Sequence, residues 1–407
     1  MSRHRILFVD DDQNLLQGLQ RMLHSRRKVW DVHFVSSGKA ALTLLEREPF
    51  DCIVSDMRMP DMDGAELLSA VSKKHPAILR FVLSGYTDEE TVMRSVSAAH
   101  QFLAKPCPPT VLIDVLHRAI ELHRILQSEG LRKLLAGLRT LPTPSSTYLQ
   151  IMDCIRNPKA SVNAVADLIE RDVAMTAELL KLTNSAYFAL PSRVATPLQA
   201  VRILGFETLR ALVFRIGIFR GFQGRGAAGK LIEAINDDSF LVARLARRVA
   251  KLDQLDTRDI DEAFIAGMLG SIGTLILLDQ LPQTFEKVAA AVVAGADPLE
   301  TEEAVFGANH MQLGAYLLGL WGFSRSVVGA VAFSGHPGVF PSVRLDVPGV
   351  VHIARVMAGP FPAYASLGEH GEVGRLALDM PYLEGMGRAD WLPVWMMEAR
   401  AEMGSKL

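Results

Sequence analysis

The chain runs Cys52-Ile53-Val54-Ser55-Asp56 and then Met57-Arg58-Met59-Pro60-Asp61-Met62-Asp63-Gly64, so that an apolar segment ends directly on a carboxylate. A short apolar run of this kind predicts a strand buried on both faces of a parallel sheet. Three further segments repeat the pattern of an apolar run followed at once by a polar residue. They are Ile6 to Val9 before Asp10 and Asp11, Phe81 to Leu83 before Ser84, and Phe102 to Ala104 before Lys105.

These polar residues are predicted to meet at one edge of the sheet, because open α/β sheets place their ligands at the carboxyl ends of the strands. Clustered carboxylates such as Asp10, Asp11 and Asp56 repel one another unless a cation lies among them, and Mg²⁺ takes oxygen ligands. An alternative interpretation is that Asp10, Asp11 and Asp12 only cap the helix that follows. The recurrence of polar residues at successive strand ends favours a ligand site that holds a divalent cation.

Residues 1–122 resemble the receiver domain of response regulators at each of these strand ends. The resemblance implies that Asp56 is the phosphoacceptor and attacks phosphorus as a carboxylate nucleophile. It also implies that Asp10, Asp11 and Asp56 bind Mg²⁺ together with the backbone carbonyl of Arg58. The phosphoryl donor implied by the resemblance is a sensor histidine kinase.

The same resemblance implies that three more residues take part in a phosphorylation switch. Ser84 would hydrogen-bond a phosphoryl oxygen, and Lys105 would neutralise its charge. Phe102, three residues before Lys105, would turn inward when Ser84 moves toward the phosphoryl group.

Length and composition fit more than one domain. The 407 residues exceed a single typical core. The formal net charge of −2 gives no global attraction to nucleic acid or to an anionic membrane, and no run of about eighteen apolar residues is present. The three cysteines show no paired spacing, which is typical of a reducing compartment and predicts a cytoplasmic protein.

The segment after the receiver shows helical periodicity from Thr110 to Arg139, with Gly130 as a candidate break. Two interpretations remain open for it. It is either the last receiver helix followed by a linker, or one continuous helix that pairs with its twin in a homodimer. From Leu141 onward the apolar spacing is helical throughout, which predicts an all-α domain.

This second part is similar to the HDOD domain, a relative of HD phosphohydrolases that is usually described as lacking their catalytic site. The motifs that carry the resemblance are Leu141 to Pro144, Ala166 to Asp172, Leu179 to Phe188 and Ala200 to Gly205. Within the third motif, Asn184 and Ser185 are interpreted as closing a helix by side-chain-to-backbone bonds.

The HD metal site of the active relatives is predicted to be lost. Gly270-Ser271 follows the helix where the catalytic His-Asp pair would lie, and neither residue replaces that pair as ligands. Arg355 stands where active relatives have Asp and adds a permanent positive charge. His310 and His336 remain as candidates for a residual metal site, with Asp237 or Asp238 nearby in sequence, although both histidines fit a structural function.

Two alternatives belong to other functional classes. A degenerate HD-type, metal-dependent phosphohydrolase of nucleotides or cyclic dinucleotides would use His310 and His336. A DNA-binding transcriptional regulator would use a basic stripe, which we interpret instead as a solvated helix face. The stripe consists of Arg244, Arg247, Arg248 and Lys251.

The sequence therefore predicts an α/β plus all-α protein. Its predicted parts are a doubly wound (βα)5 receiver domain at 1–122, a connecting helix at 123–140, an HDOD domain at 141–340 and a helical extension at 341–407. Phosphorylation would change the protein–protein interactions of a non-catalytic HDOD domain. The expected partners are a sensor histidine kinase, a second copy of the chain and an unidentified signalling protein, with no membrane or DNA partner. The resemblance to HDOD regulators implies GGDEF, EAL and HD-GYP proteins as candidates for that signalling protein, and no residue of the sequence selects one of them.

Overall fold

The computed structural model describes residues 3–84, 98–125, 129–138, 141–157, 160–184, 193–205, 208–209, 213, 220–222, 227–339, 344–365 and 374–404. Within these ranges an α/β region at the N-terminus is followed by a largely helical region. The predicted fold class is confirmed.

The α/β region is built on a five-stranded parallel sheet with the order β2-β1-β3-β4-β5. All five residues of the central strand β3 are buried, as its apolar sequence requires. The register pairs Val9 with Ser55 and Asp56 with Leu83, so the carboxyl ends of the inner strands meet at one edge. The strands are β1 (His4–Val9), β2 (Trp30–Val35), β3 (Cys52–Asp56), β4 (Leu79–Ser84) and β5 (Gln101–Ala104).

The helices that flank the sheet begin at capping residues that the sequence supplies. Asp12 caps α1 by accepting hydrogen bonds from the backbone N–H groups of Asn14 and Leu15 at 2.8 and 3.4 Å. Capping by the acidic triplet is therefore carried out by Asp12, whereas Asp10 accepts the backbone N–H of Asp12 at 2.9 Å. The described helices of this region are α1 (Gln13–Met22), α2 (Gly38–Arg47), α3 (Gly64–Lys74) and α4 (Pro109–Ile125), with a 3₁₀ turn at Leu23–Arg26.

The connector contains the end of α4 and a second helix, α5 (Glu129–Gly137). The junction at residues 126–128 lies outside the described residues, so the expected continuity from Thr110 to Arg139 is untested there. Gly130 does not break a helix, because it lies within α5. The leucines Leu131, Leu135 and Leu138 are buried within the chain, and α5 packs against α3. This apolar stripe is therefore covered in the monomer, and a homodimer remains a prediction.

The described residues of the second region are helical apart from one parallel strand pair, β6 (Pro142–Thr143) with β7 (Arg220–Gly221). The described helices before residue 210 are α6 (Ser145–Arg156), α7 (Val162–Glu170), α8 (Val173–Thr183) and α9 (Pro197–Leu204). Those described from residue 227 to 333 are α10 (Ala227–Leu252), α11 (Thr257–Leu269), α12 (Ile272–Gln280), α13 (Pro282–Val293), α14 (Pro298–Phe306), α15 (His310–Leu320) and α16 (Arg325–Phe333). The stretch Thr257–Gln280 is long and apolar enough to cross a membrane, but 78% of its most apolar window is buried inside the protein, as in a core helix.

Helices within the described ranges 344–365 and 374–404 pack on this helical region. The helix α17 (Val347–Ala358) lies against α10, α11 and α16 and is almost wholly buried. The last helix also lies against α10. The remaining helices are α18 (Pro362–Ala365), α19 (Met380–Gly385) and α20 (Leu392–Gly404), with 3₁₀ turns at Pro337–Val339 and Ala389–Trp391.

Gly64, the first residue of α3, allows that helix to approach the end of β3. A Cβ atom there would lie 2.2 Å from the carbonyl oxygen of Asp56. We expect Gly64→Ala to lower the free energy of unfolding of the α/β region by about 1–3 kcal/mol, because backbone atoms cannot yield as a flexible side chain does. Native-state hydrogen exchange of the β3 amides in the full chain measures this change.

Gly18, within α1, is the matched control, since a Cβ atom at that position meets no atom within 4 Å. Gly18→Ala should raise the same free energy by about 0.5–1 kcal/mol. Equal effects of the two substitutions would contradict the packing argument for Gly64.

Candidate functional site

An acidic cluster occupies the carboxyl edge of the sheet. Asp10 follows β1, Asp11 lies beside it in the turn to α1, and Asp56 closes β3. One oxygen from each carboxylate lies within 4.8 Å of those of the other two. Asp10 is 2% and Asp56 8% exposed, whereas Asp11 faces the solvent. Charges held this close and partly withdrawn from water repel one another strongly.

Lys105, just after β5, offsets part of this repulsion. Its Nζ lies 2.7 Å from Asp10 Oδ2 and also donates a hydrogen bond to Asp56 Oδ1. Although burial alone would lower the pKa of Lys105, the hydrogen bonds to Asp10 and Asp56 raise it above its ordinary value. The ammonium group is therefore held charged between two carboxylates.

The pKa of Asp56 is raised, because burial disfavours its charged form and Asp10 adds repulsion, while the hydrogen bond from Lys105 acts in the opposite direction. The backbone N–H of Arg58 donates to Asp56 Oδ2 at 3.0 Å, which brings the main chain of Arg58 beside the cluster. The carboxylate of Asp56 is therefore held in place by a hydrogen bond to each oxygen, from Lys105 to Oδ1 and from Arg58 to Oδ2.

The donor chemistry of the cluster suits a hard divalent cation, since every side-chain donor is a carboxylate oxygen. Asp10, Asp11 and Asp56 would hold Mg²⁺, which would supply positive charge to phosphoryl oxygens. Within the described ranges, no other set of three His, Cys, Asp or Glu side chains brings its donor atoms this close together.

The other two predicted switch residues lie on the neighbouring strands. Ser84 ends β4 and pairs with Ala104 of β5, but the side chain of Ser84 lies outside the described residues. Phe102 lies in β5 and is 6% exposed. The edge therefore collects Asp10, Asp11, Asp56 and Lys105, whereas Phe102 lies two residues before the end of β5.

In the helical region, His310 belongs to a buried hydrogen-bonded network. Its Nδ1 lies 2.8 Å from Glu302 Oε2, and its backbone N–H donates to the same oxygen at 2.6 Å. The hydroxyl of Tyr364 donates to Glu302 Oε1. His310 is 1% exposed and Glu302 is 0% exposed. The network fixes the start of α15, which is a structural function.

A second polar pair lies close to this network. Arg355 donates two hydrogen bonds to the carboxylate of Asp238, one of them from Nη2 at 2.9 Å. Both Arg355 and His310 pack against the ring of Phe361, at centroid distances of 5.0 and 4.9 Å. Asp238 is therefore engaged by a cation, and an aromatic ring lies between the two polar groups.

The residual metal site considered from the sequence is not assembled among the described residues. His336 is exposed, whereas His310 is buried, and the two do not join Asp237 or Asp238 in a cluster of metal-binding donors. Close packing occupies the adjacent helix crossing, where a Cβ atom on Gly273 would lie 1.9 Å from the carbonyl oxygen of His310.

The basic stripe on α10 is partly solvated, as interpreted from the sequence, since Arg248 and Lys251 are exposed. Its three arginines also pair with carboxylates. Arg244 pairs with Glu402 at 2.9 Å and Arg248 with Glu398 at 2.7 Å, both on α20. Arg247 lies 3.4 Å from Glu170. These arginines hold the C-terminal helix and α7 in place, which leaves no structural support for a DNA-binding stripe.

The motif residue Asn184 behaves as the sequence indicates. Its side chain accepts the backbone N–H of Val194 and donates to the carbonyl of Val194, both at 2.8 Å. Ser185, which is also expected to close the helix, lies outside the described residues.

Sequence reasoning missed a direct contact between the two regions. Gln101, the first residue of β5, donates from Nε2 to the carbonyl of Leu320 at 2.8 Å and, more weakly, to that of Gly319 at 3.4 Å. Asp114 of α4 pairs with Arg325 of α16 at 3.2 Å. The helix α4 also packs on α15. The surface formed by β5 and α4 thus docks on the end of α15.

Gly322 allows the side chain of Gln101 to approach the backbone at the end of α15 closely. Its φ of +80° suits glycine, and a Cβ atom there would lie 3.1 Å from the amide carbon of Gln101. The separation in sequence between Gln101 and Gly322 explains why no local pattern could have indicated the contact.

The parallel sheet with an acidic edge defines a receiver-type signalling domain, here docked on a helical domain. Residues 6–117 match the family model of the response regulator receiver domain, and residues 141–337 match that of the HDOD domain. The protein is a response regulator that joins an N-terminal receiver domain to a C-terminal HDOD domain.

Several proteins are similar to parts of the chain. The hydrogenase transcriptional regulatory protein HoxA of Cupriavidus necator is 39% identical over 118 residues, covering 28% of this chain and 24% of HoxA. An uncharacterised protein of Treponema pallidum is 24% identical over 201 residues, covering 47% of this chain and 37% of its own. The matches thus span about a quarter to two fifths of these curated relatives.

Among solved structures, the MmoQ response regulator of Methylococcus capsulatus is 21% identical and covers 63% of this chain and 98% of its own, with a TM-score of 0.46. The signal receiver domain of an HD domain-containing protein from Pseudomonas fluorescens is 28% identical and covers 30% of this chain and 99% of its own, with a TM-score of 0.29.

Lys105 and Mg²⁺ would compete for Asp10 and Asp56, since both neutralise the same carboxylates. We therefore expect Lys105→Met to bind Mg²⁺ several times more tightly than the wild type. Asp11→Asn removes a charged ligand and should weaken binding by about tenfold, equivalent to about 1.4 kcal/mol. Isothermal titration calorimetry with the full chain measures both affinities.

The control is Lys39→Met, because Lys39 is 69% exposed and pairs with Asp61, which is not part of the cluster. Its Mg²⁺ affinity should equal that of the wild type. Weaker binding by Lys105→Met would show that Lys105 does not compete with the cation.

Proposed function

We propose that the protein is a two-component response regulator in which Asp56 accepts a phosphoryl group from a sensor histidine kinase in the presence of Mg²⁺. The observation that carries the proposal is the contact of Lys105 with Asp10 and Asp56 at the strand edge. This contact brings together the nucleophile Asp56, the ammonium group of Lys105 and the carboxylates that would hold Mg²⁺.

The proposed transfer is a displacement at phosphorus. A carboxylate oxygen of Asp56 forms the new O–P bond as the N–P bond to the donor imidazole breaks, and that imidazole keeps the electron pair and takes up a proton. The charge that develops on the phosphoryl oxygens is neutralised by Lys105, which is already aimed at the site. Asp10, Asp11 and Asp56 would hold Mg²⁺, with the main chain of Arg58 completing that edge.

We infer that the signal leaves the receiver through the surface of β5 and α4, in addition to the connector. Phe102 follows Gln101 directly, and Gln101 is bonded to the end of α15. A movement of Phe102 that accompanies a change at Ser84 would therefore disturb the hydrogen bonds to the carbonyls of Gly319 and Leu320. Phosphorylation would in this way shift the equilibrium between docked and undocked arrangements of the two domains.

The size of that shift depends on the difference in the free energy of the phosphoryl interaction between the two arrangements. If the docked arrangement holds about 99% of the molecules, inverting the ratio requires about 5.5 kcal/mol. The docking contacts described here comprise hydrogen bonds, one exposed ion pair and helix packing, each of modest net free energy. A partial release of the HDOD domain is therefore the proposed outcome.

The proposed output of the HDOD domain is protein–protein interaction and not catalysis. This is supported by the pairing of Asp238 with Arg355 and of His310 with Glu302, which engages the groups that an HD-type hydrolase would need for metal. The proposed setting is the cytoplasm, consistent with the three free thiols at Cys52, Cys107 and Cys154.

The proposal predicts that Asp56→Asn abolishes phosphorylation by acyl phosphate donors, because the amide lacks the nucleophilic carboxylate. Incorporation of labelled phosphate into the full chain, followed by intact-mass spectrometry, measures it. The control is Asp61→Asn, an exposed acid in the loop after β3, which should be labelled like the wild type. Label retained on Asp56→Asn would identify a different nucleophile.

A further inference from the structure

A cavity of about 150 Å³ lies between the receiver and the HDOD domain. The receiver contributes Phe102 and Arg118 to its wall, and the HDOD domain contributes Lys181, Arg193 and Trp321. A cavity of that volume holds a ligand of about six heavy atoms. The wall thus combines two aromatic side chains with three cationic ones.

Lys181, on α8, is the most deeply buried of these cations. Its side chain is 6% exposed, and its Nζ lies 4.3 Å from the centroid of the Trp321 ring. Its Nζ lies 3.7 Å from Oε2 of Glu178, which is beyond hydrogen-bonding distance. Oε1 of Glu178 is buried without a hydrogen-bond partner in the described part of the chain. Lys181 and Glu178 thus form a poorly matched ion pair, without a hydrogen bond between the charged groups. The ammonium group of Lys181, which has three hydrogen-bond donors, lines the cavity.

The two arginines come from opposite sides of the domain boundary. Arg118 lies on α4, and Arg193 precedes α9 and donates to the carbonyl of Gly322. Burial lowers the pKa of Arg193, and the charge of Arg118 lowers it further. The two guanidinium groups are therefore close enough to repel one another across the cavity.

Two carboxylates face the three cations of the cavity wall. Asp114 pairs with Arg118 at 2.9 Å and is shared with Arg325 at 3.2 Å. Glu178 lies 3.7 Å from Lys181, and Glu262 pairs with Arg258 at 3.4 Å. The positive charges around the cavity therefore exceed the negative ones.

We propose that this cavity binds a small oxyanion, through a phosphate or carboxylate group held by Lys181, Arg118 and Arg193. Guanidinium groups bind such anions through paired, charge-assisted hydrogen bonds. An anion in this position removes the repulsion between Arg118 and Arg193 and supplies the acceptor that Lys181 lacks. No residue of the acidic cluster around Asp56 takes part.

Because the site is built from both domains, its ligand is a second input to the regulator. An anion that binds only the docked arrangement stabilises it by a free energy that rises with the logarithm of the anion concentration above its Kd. Reciprocally, a change at Asp56 that separates the domains weakens the affinity for the anion. By linkage, it does so by the same factor by which the bound anion disfavours that change.

The test is isothermal titration of the full chain with inorganic phosphate, at constant ionic strength and in EDTA so that the Asp56 site lacks Mg²⁺. We expect one saturable site. Arg193→Gln and Arg118→Gln should each weaken it by about tenfold or more, as for loss of a charged hydrogen bond. Arg193→Lys, which keeps the charge but loses the paired donors, should bind more tightly than Arg193→Gln and more weakly than the wild type.

Arg156→Gln is the matched control, since Arg156 is an exposed arginine of α6 outside the cavity, and its affinity should equal that of the wild type. A parallel titration with malonate separates a carboxylate ligand from a phosphate ligand. Circular dichroism of each variant establishes that it is folded. Absence of saturable binding of both anions, or equal weakening by Arg156→Gln, would overturn the proposal.

Discussion

The repulsion among Asp10, Asp11 and Asp56 is the constraint on which the receiver depends. Parallel strands bring their carboxyl ends together, so the apolar runs that build the sheet also force these carboxylates into one small volume. Lys105 offsets part of this repulsion through its ion pairs with Asp10 and Asp56. Any added charge at Asp56 must alter that balance, and Lys105 follows β5 directly. The electrostatics of the edge is thus linked covalently to the strand that docks on the HDOD domain.

The HDOD domain has the opposite character around α15 and α17, because the buried charges there are paired. Asp238 is held by Arg355, and Glu302 is held by His310 and Tyr364. Such pairs are costly to bury and cannot be broken without leaving an uncompensated charge. The domain is thus suited to presenting a rigid surface, and its regulation falls to the less firmly paired boundary with the receiver. The poorly matched pair of Lys181 and Glu178 lies at that boundary.

The strands and the acidic edge could be predicted from the sequence, because each depends on a local pattern of apolar runs that close on polar residues. The functions of the edge residues came from resemblance, and they remain predictions. The contact of Gln101 with Leu320 could not be predicted, since it joins positions far apart along the chain. The same holds for the pairing of Arg248 with Glu398, which joins an exposed arginine of α10 to the last helix. Pairing across such separations leaves no periodicity in either segment.

The measurement that tests the central claim most directly is hydrogen–deuterium exchange of the full chain, with and without beryllofluoride and Mg²⁺. The peptides that matter cover β5 and the end of α15, where Gln101 meets Gly319 and Leu320. The account predicts faster exchange in both peptides when beryllofluoride stands in for the phosphoryl group, and no change in Asp56→Asn. Unchanged exchange at this contact in the wild type, with beryllofluoride bound, would contradict the account.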